Sequence, residues 1–486
     1  MNPKSHHQTP APTNHPILGL IPGLLLVGIL ATSAMGNPMQ VDDQTKGKAT
    51  RPISSDTRQA MEKDIEAGPS QELDPKIDGS RITELPAPTI PREVILPTPP
   101  IHRIATERAR TRLTEAEWKT AEQSVRNGLA YLTATQSKRG AWFEGKEVIP
   151  TDQPPKEAAA ATAVTALGLK AFAQAPELAP DPMVAEKALD FLRMKIEQDG
   201  LDGLNEGGLG NYVTSALVMG LAAVGTDTGT LMSGVEWLQQ TQWDAEDGLD
   251  PRQDWYGGAG YGNRGRPDLS NTQMMLDALY DAGVSPDEPS VQRALVFLTR
   301  TQNLKETNPA PWAQAGNNDG GFIYTPANNG ESMASQAAGE GRYGESMPAG
   351  EPRSLRSYGS MTYAGFKSLL YAGLDANDPR VEAALNWART HWTFEENPGV
   401  GQQGYYYYLH ALARALRASG LTMIKDDQGV EHDWRSELIA ALADRQRADG
   451  SWRNPVDRWE EGRPDLATIY ALLAIEEALK PTLEVE

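Results

Sequence analysis

Two stretches hold side chains that could do chemistry inside an enclosed site. The first is Asp254-Trp255-Tyr256-Gly257-Gly258-Ala259-Gly260-Tyr261-Gly262. Glycines between aromatics leave rings standing out from a backbone that a ligand can approach closely. Asp254 lies on this loop rather than at a helix start, which makes it the best candidate for a general acid. The second is Gly404-Tyr405-Tyr406-Tyr407-Tyr408-Leu409-His410. Four successive tyrosines point around roughly a full helical turn, so at least one must face the interior. Phenol rings stabilise cations through their faces, and they also stack on sugar rings. Tyr358, at the start of another helical run, joins them. The candidate set is therefore Asp254 for catalysis, with Trp255, Tyr256, Tyr261, Tyr358, Tyr405 and His410 for substrate. Each has a plain structural reading beside this one: a Gly-marked turn, tyrosines packed between helices with hydroxyls at the rim, and a helical histidine without a ligand.

Other chemistries are excluded or weakened. The chain has no Cys, which removes disulfides, thiolate metal sites and a Cys nucleophile. His391, His410 and His432 spell no zinc triad, so neither a metal nor a cofactor is expected. Gly140-Ala141-Trp142-Phe143-Glu144-Gly145-Lys146-Glu147 approximates a phosphate loop. Glu147 stands at its Ser/Thr position and Pro150 follows instead of a helix, so it is rejected. Lys+Arg 45 against Asp+Glu 65 gives a net charge of −20, the wrong sign for a nucleic-acid partner.

The elements that must position these residues are repeated. Gln446-Arg447-Ala448-Asp449-Gly450-Ser451-Trp452 ends one apolar helical run and precedes another. The Asp-Gly pair marks a turn, and Gln and Trp flank it with an amide and a flat ring. The same frame of apolar residues precedes Gln136, Gln242 and Gln302, and two positions without Gln, Ile196 and Trp392. These six anchors are 60, 46, 60, 90 and 54 residues apart, a spacing that predicts stacked supersecondary units. A Gly-rich turn and a second apolar helix follow each anchor. Thr214/Gly225, Thr272/Gly283 and Thr362/Gly373 share one spacing, the Gly reading as a C-terminal cap. Pro267-Asp268 and Pro464-Asp465 read as helix starts, with the Asp residues as caps. The first two helices are expected near residues 116–133 and 158–172.

The Gln446–Trp452 stretch matches the Gln-x-x-Asp-Gly-x-Trp repeat of squalene-hopene cyclases, and the chain resembles the prenyltransferase and squalene-oxidase repeat family over roughly residues 115–480. Asn318-Asp319-Gly320-Gly321-Phe322 and Gly140-Ala141-Trp142 are partial copies. The resemblance implies an all-α fold, an α/α toroid of six outer helices around six inner ones. It also places a pocket at the N-terminal ends of the inner helices. The Asp-x-Asp-Asp acid motif of the cyclases is missing, as are Asp-Asp-x-x-Asp and the Asp/Cys/His zinc set of protein prenyltransferases.

Residues 17–31 form an uncharged apolar run behind Lys4, with Ala34-Met35-Gly36 after it. Residues 1–36 therefore read as a signal peptide or a membrane anchor, and the protein as exported to the cell envelope. Residues 37–111 hold ten prolines and mixed charges, the composition of a disordered linker, which leaves 112–486 as the toroid domain. Within it, residues 325–356 form a long polar segment expected to be a lid. Three functions remain open: a cyclase-like protein that binds or converts an isoprenoid in an aromatic cavity, a binding or scaffold toroid tethered by its linker, and a carbohydrate-active toroid enzyme.

Overall fold

The computed structural model describes residues 102–143, 155–205, 208–262, 265–327 and 355–482. The proposed signal or anchor segment, almost all of the linker, and residues 328–354 of the expected lid lie outside the described residues. Among the described residues, six outer helices alternate along the chain with six inner ones. The outer helices are α1 (Glu115–Thr135), α3 (Met183–Gly203), α5 (Thr228–Thr241), α7 (Pro289–Thr301), α10 (Pro379–Thr390) and α12 (Trp434–Arg445). The inner helices are α2 (Pro155–Gln174), α4 (Gly210–Val224), α6 (Leu269–Asp281), α9 (Gly359–Tyr371), α11 (Tyr405–Ala418) and α13 (Pro464–Leu479). A short α8 (Pro311–Ala315) lies in the loop after α7.

Each inner helix packs on the next, and α13 returns to α2, so the ring closes. The fold is the all-α toroid that the family resemblance implies, built from the stacked units that the repeat spacing predicts. Inner helices are buried on every face, as the composition of α4 requires: Val213, Ala216, Leu217, Val218 and Leu221 are all inaccessible or nearly so. A helix apolar all round has to be surrounded. The outer helices bury one stripe, and α1, α10 and α12 begin with side-chain caps. In α1, Thr114 accepts from Glu117 N at 3.3 Å while the Glu117 carboxylate accepts from Thr114 N at 2.8 Å, a reciprocal capping box.

The repeated Gln-Gly-aromatic phrase is a clip between neighbouring outer helices. The amide of Gln136 donates to Gly140 O in its own turn (3.0 Å) and to Val184 O at the start of α3 (2.9 Å). Gln242 does the same to Gly257 O and Ser290 O (2.8 and 2.9 Å), and Gln302 to Gly320 O and Arg380 O (2.9 and 2.8 Å). Gln446 joins Gly450 O to Ser124 O of α1, both at 2.9 Å, which closes the circle. The glycine is required at this place. Gly257 has φ +80, and a Cβ there would lie 1.9 Å from Arg293 O of the next outer helix. Below the turn, the inner-helix threonine of the notable spacing accepts a turn amide: Ala259 N to Thr272 (3.0 Å) and Phe322 N to Thr362 (3.1 Å). Trp142 and Trp452 donate their indole N–H back to Leu132 O (2.9 Å) and Leu442 O (2.7 Å) at the ends of α1 and α12.

Two features depart from the sequence reading. The body begins before residue 112: Ile104 N donates to Gln174 O (3.0 Å) and Ala105 N to Leu479 O (2.9 Å). The 102–111 segment thus lies across the C-terminal ends of α2 and α13. In addition, β1 (Met423–Lys425) and β2 (Glu431–Asp433) form an antiparallel hairpin between α11 and α12, a small exception to the all-α pattern.

Candidate functional site

The interior of the ring is where a site would have to be, and side chains from non-adjacent inner helices meet across it at two levels. Near the N-terminal ends, the Tyr407 hydroxyl of α11 accepts from the Gln273 amide of α6 at 3.0 Å and lies 3.4 Å from Ser270 Oγ. Tyr212 of α4 donates to Ser270 at 2.7 Å. Helix α9 stands between α6 and α11, so the Tyr407 contacts with Gln273 and Ser270 reach across the lumen. Deeper, Arg414 of α11 pairs with Asp281 of α6 at 2.9 Å, and Lys170 of α2 pairs with the same carboxylate from the other side. Lys367 of α9 binds Asp277 at 2.7 Å and the Gln273 carbonyl oxygen at 2.6 Å. Arg417 and Lys480 hold Glu477 at 3.3 and 2.6 Å.

This lower level is an ion plug whose members are all at most 8% exposed. Its physical logic lies in the helix ends. The inner helices carry partial negative charge at their C-termini, which favours cations in the last turn. Arg417 occupies such a position in α11, while Lys170 and Arg414 lie just before the last turns of α2 and α11. The paired cations hold the Asp281 carboxyl far below the usual range against the cost of burial, and they bring Glu477 down to about 2. Burial pulls Lys367 down to about 8 against the pull of Asp277. Glu476, bonded to the Gln174 amide at 2.6 Å, is pushed well above its ordinary value by burial.

The upper level holds a different kind of acid. Asp268 is the N-cap of α6, as its sequence context predicts: it accepts from Asn271 N at 2.7 Å and from the Asn271 amide at 2.8 Å. Complete burial nonetheless raises its pKa to about 7, against those two hydrogen bonds. Around it are the phenols of Tyr261 and Tyr324, whose hydroxyls are 2.9 Å apart, and Tyr212, whose ring lies 5.8 Å from that of Tyr261. Glu461 is the second such acid. From the last repeat it accepts from Tyr407 N (2.8 Å), Tyr406 N (3.2 Å) and the Asn454 amide (2.7 Å), and burial raises it to about 7.

The residues singled out from sequence fall into three places. Asp254, Trp255 and Tyr256 lie at the outer rim. Asp254 is 3.4 Å from Arg300 of outer helix α7 and keeps 41% of its side chain exposed. Its crowded surroundings push its pKa up and Arg300 draws it back. The Trp255 ring packs edge-on against Trp243 at 5.0 Å. Tyr405 also turns outward, donating to Phe394 O at 2.6 Å beneath the Arg445 guanidinium. Tyr358 is buried at the N-cap of α9. Tyr261 and His410 do face inward. His410 shares the lumen face of α11 with Tyr407 and Arg414 and lies against Tyr470 at 5.8 Å. Its Nε2 has no hydrogen-bond partner among the described residues, and burial, aided by Arg414 and Lys367, keeps the ring neutral. Tyr407, rather than Tyr405, is the tyrosine that crosses the ring.

The plug and Glu461 were missed by sequence reasoning. The signal for the plug was a charge inside an otherwise apolar inner helix: Lys170 in Leu169-Lys170-Ala171-Phe172, Asp277 after Met274-Met275-Leu276, and Arg414 between Ala413 and Ala415. Nothing local marks Glu461, which acts on a helix more than fifty residues earlier.

Residues 153–325 match the family described as the squalene-hopene cyclase C-terminal domain. No characterised protein sequence matches the chain significantly. Among solved structures, a variant of the type II terpene cyclase MstE from Scytonema, in complex with merosterolic acid A, is 15% identical, with 76% of this chain and 99% of that chain covered and a TM-score of 0.40. The GH76A alpha-1,6-mannanase from Salegentibacter sp. is 11% identical, covering 74% and 98% of the two chains at a TM-score of 0.45. The four glutamine clips and the closed inner ring accompany a likeness, over residues 153–325, to the family described as the squalene-hopene cyclase C-terminal domain.

Proposed function

We propose that this protein is a binding or scaffold toroid rather than a reaction chamber for an isoprenoid. One observation carries the reading: bonds between non-adjacent inner helices occupy the lumen at two levels, and the lower one is ionic. A site for a hydrocarbon chain needs a deep and mostly apolar cavity. Opening one here would strip buried charges of their partners, at several kcal/mol for each broken pair. The remaining surface for a ligand is the loop face above the inner helices, where a glycan or a protein partner is the fitting class. The apolar run at 17–31 and the Pro-rich stretch behind it support export to the cell envelope, with the toroid carried on a tether.

A second reading rests on Asp268. A buried carboxyl that keeps its proton near pH 7 among three phenols could serve as the acid of a cyclase-like reaction. One experiment separates the two. The full chain is purified, its lipid extract is analysed by mass spectrometry, and it is incubated with squalene. The scaffold reading expects no bound terpenoid and no conversion. A stoichiometric terpenoid, or turnover that Asp268→Asn abolishes, overturns it in favour of the second.

A further inference from the structure

The outer ring has six junctions, and the glutamine clip holds four of them: first to second repeat (Gln136), third to fourth (Gln242), fourth to fifth (Gln302) and sixth to first (Gln446). The two anchors without Gln, Ile196 and Trp392, fall at the second–third and fifth–sixth junctions. In a closed ring of six these junctions are opposite one another. The clips therefore tie repeats three to five into one half and repeats six, one and two into the other.

Both unclipped junctions use the same substitute, an indole N–H given to a carboxylate. Trp237 of α5 donates to Asp202 of α3 at 3.0 Å, and Trp392 donates to Glu437 of α12 at 2.9 Å. The exposed Arg193–Asp227 pair, at 2.7 Å, adds to the first. At the second, His432 of the hairpin stands between two carboxylates, Nδ1 at 2.7 Å from Glu437 Oε1 and Nε2 at 3.2 Å from Asp426 Oδ2. The Trp392 ring faces it at 5.5 Å. A neutral imidazole has one N–H and cannot donate to both oxygens; an imidazolium can. The clip, by contrast, runs from an amide to backbone carbonyls, and neither partner titrates.

We infer that the outer ring loosens first at these two seams while the inner ring stays closed, and that protonated His432, by fixing Glu437 as the acceptor of Trp392, latches the seam between the fifth and sixth repeats. Burial draws the His432 pKa down, but the hydrogen bonds that its ring donates to Glu437 and Asp426 outweigh it and hold the value above the ordinary one. The latch is accordingly complete below the usual histidine range and is lost as pH rises through the elevated value. Asp426 and Glu437 are the charged groups that act on it.

Hydrogen exchange of the full chain tests this, with amide rates corrected for their intrinsic pH dependence. In wild type, peptides over residues 392–396 and the first turn of α12 should exchange about tenfold faster at about pH 8.5 than at about pH 6, the scale of losing one charged hydrogen bond. The starts of α7 and α10, which are clipped, should not change. His432→Gln should hold the seam at the faster rate at both pH values. The seam at Trp237 should exchange faster than the clipped junctions at either pH, and faster still in high salt. Equal protection of seams and clipped junctions in wild type overturns the inference, and so does a pH effect that survives in His432→Gln. The wild-type comparison decides the matter even if the variant does not fold.

Discussion

Replacing Asp268 with Asn should make the protein more stable at alkaline pH and leave it nearly unchanged in acid. The Asp268 pKa rises from 3.8 to about 7 in the fold. The folded state thus favours the protonated form. The stability this contributes is complete below the ordinary carboxyl range, and it is lost as pH climbs from there to about 7. Each pH unit in that window is worth about 1.4 kcal/mol, so the ionised carboxylate weakens the fold by up to about 4 kcal/mol at pH 8. Asparagine removes the titration but keeps the cap. Its carbonyl can accept from Asn271 N, now 2.7 Å from the carboxylate. Its amide then faces the Asn271 side chain, which has to rotate and present its oxygen. That rotation gives up the 3.1 Å bond from Asn211 to Asn271 Oδ1, while the 2.9 Å bond from the same amide to Asn271 O stays. The net expectation is a gain of about 1–3 kcal/mol at pH 8 and a change near zero at pH 5, read by urea denaturation at the two pH values. A variant that loses stability at pH 8, or loses the same amount at both, would mean that the cap holds the ionised form and that burial does not dominate.

Two more substitutions probe the frame and the plug. Gly257→Ala should cost about 2–4 kcal/mol, because the methyl group meets the Arg293 carbonyl. Gly248→Ala, also at positive φ but with open space around it, should cost about 1 kcal/mol, and thermal melts of the pair separate clash from backbone strain. Arg414→Met should cost about 3–5 kcal/mol by leaving Asp281 and Asp277 short of a buried partner, again visible as a lowered melting temperature.

The toroid was legible because its joints are local in sequence. A Gln, a Gly four residues later in the tight copies, and an aromatic two residues after that are each demanded by one contact of the clip, so the phrase survives even where intervals vary from 46 to 90 residues. The hairpin at 423–433 was illegible for the opposite reason. Three-residue strands around Asp426-Asp427-Gln428-Gly429 carry too little alternation to tell them from a loop.

The interior was harder to read than the frame, and the tyrosine run explains why. Four consecutive phenols leave the helix phase undetermined, and the phase of α11 is fixed from outside it. Glu461 takes the amides of Tyr406 and Tyr407 at the first turn, and Gly404 enters that turn at φ +62. With the start pinned in this way, positions 407, 410 and 414 fall on one face, and Tyr405 is carried outward to Phe394. The same reasoning separates Asp254 from Asp268. Both precede inner helix α6 and both are acids near Gly and aromatics. Asp254 is drawn to the rim by Arg300, whereas Asp268 is held inside by the amide of its own helix. Which acid lies within the ring is decided by which donors stand in the last turn of one helix and the first turn of another, and no composition or motif spacing in the chain records that pairing.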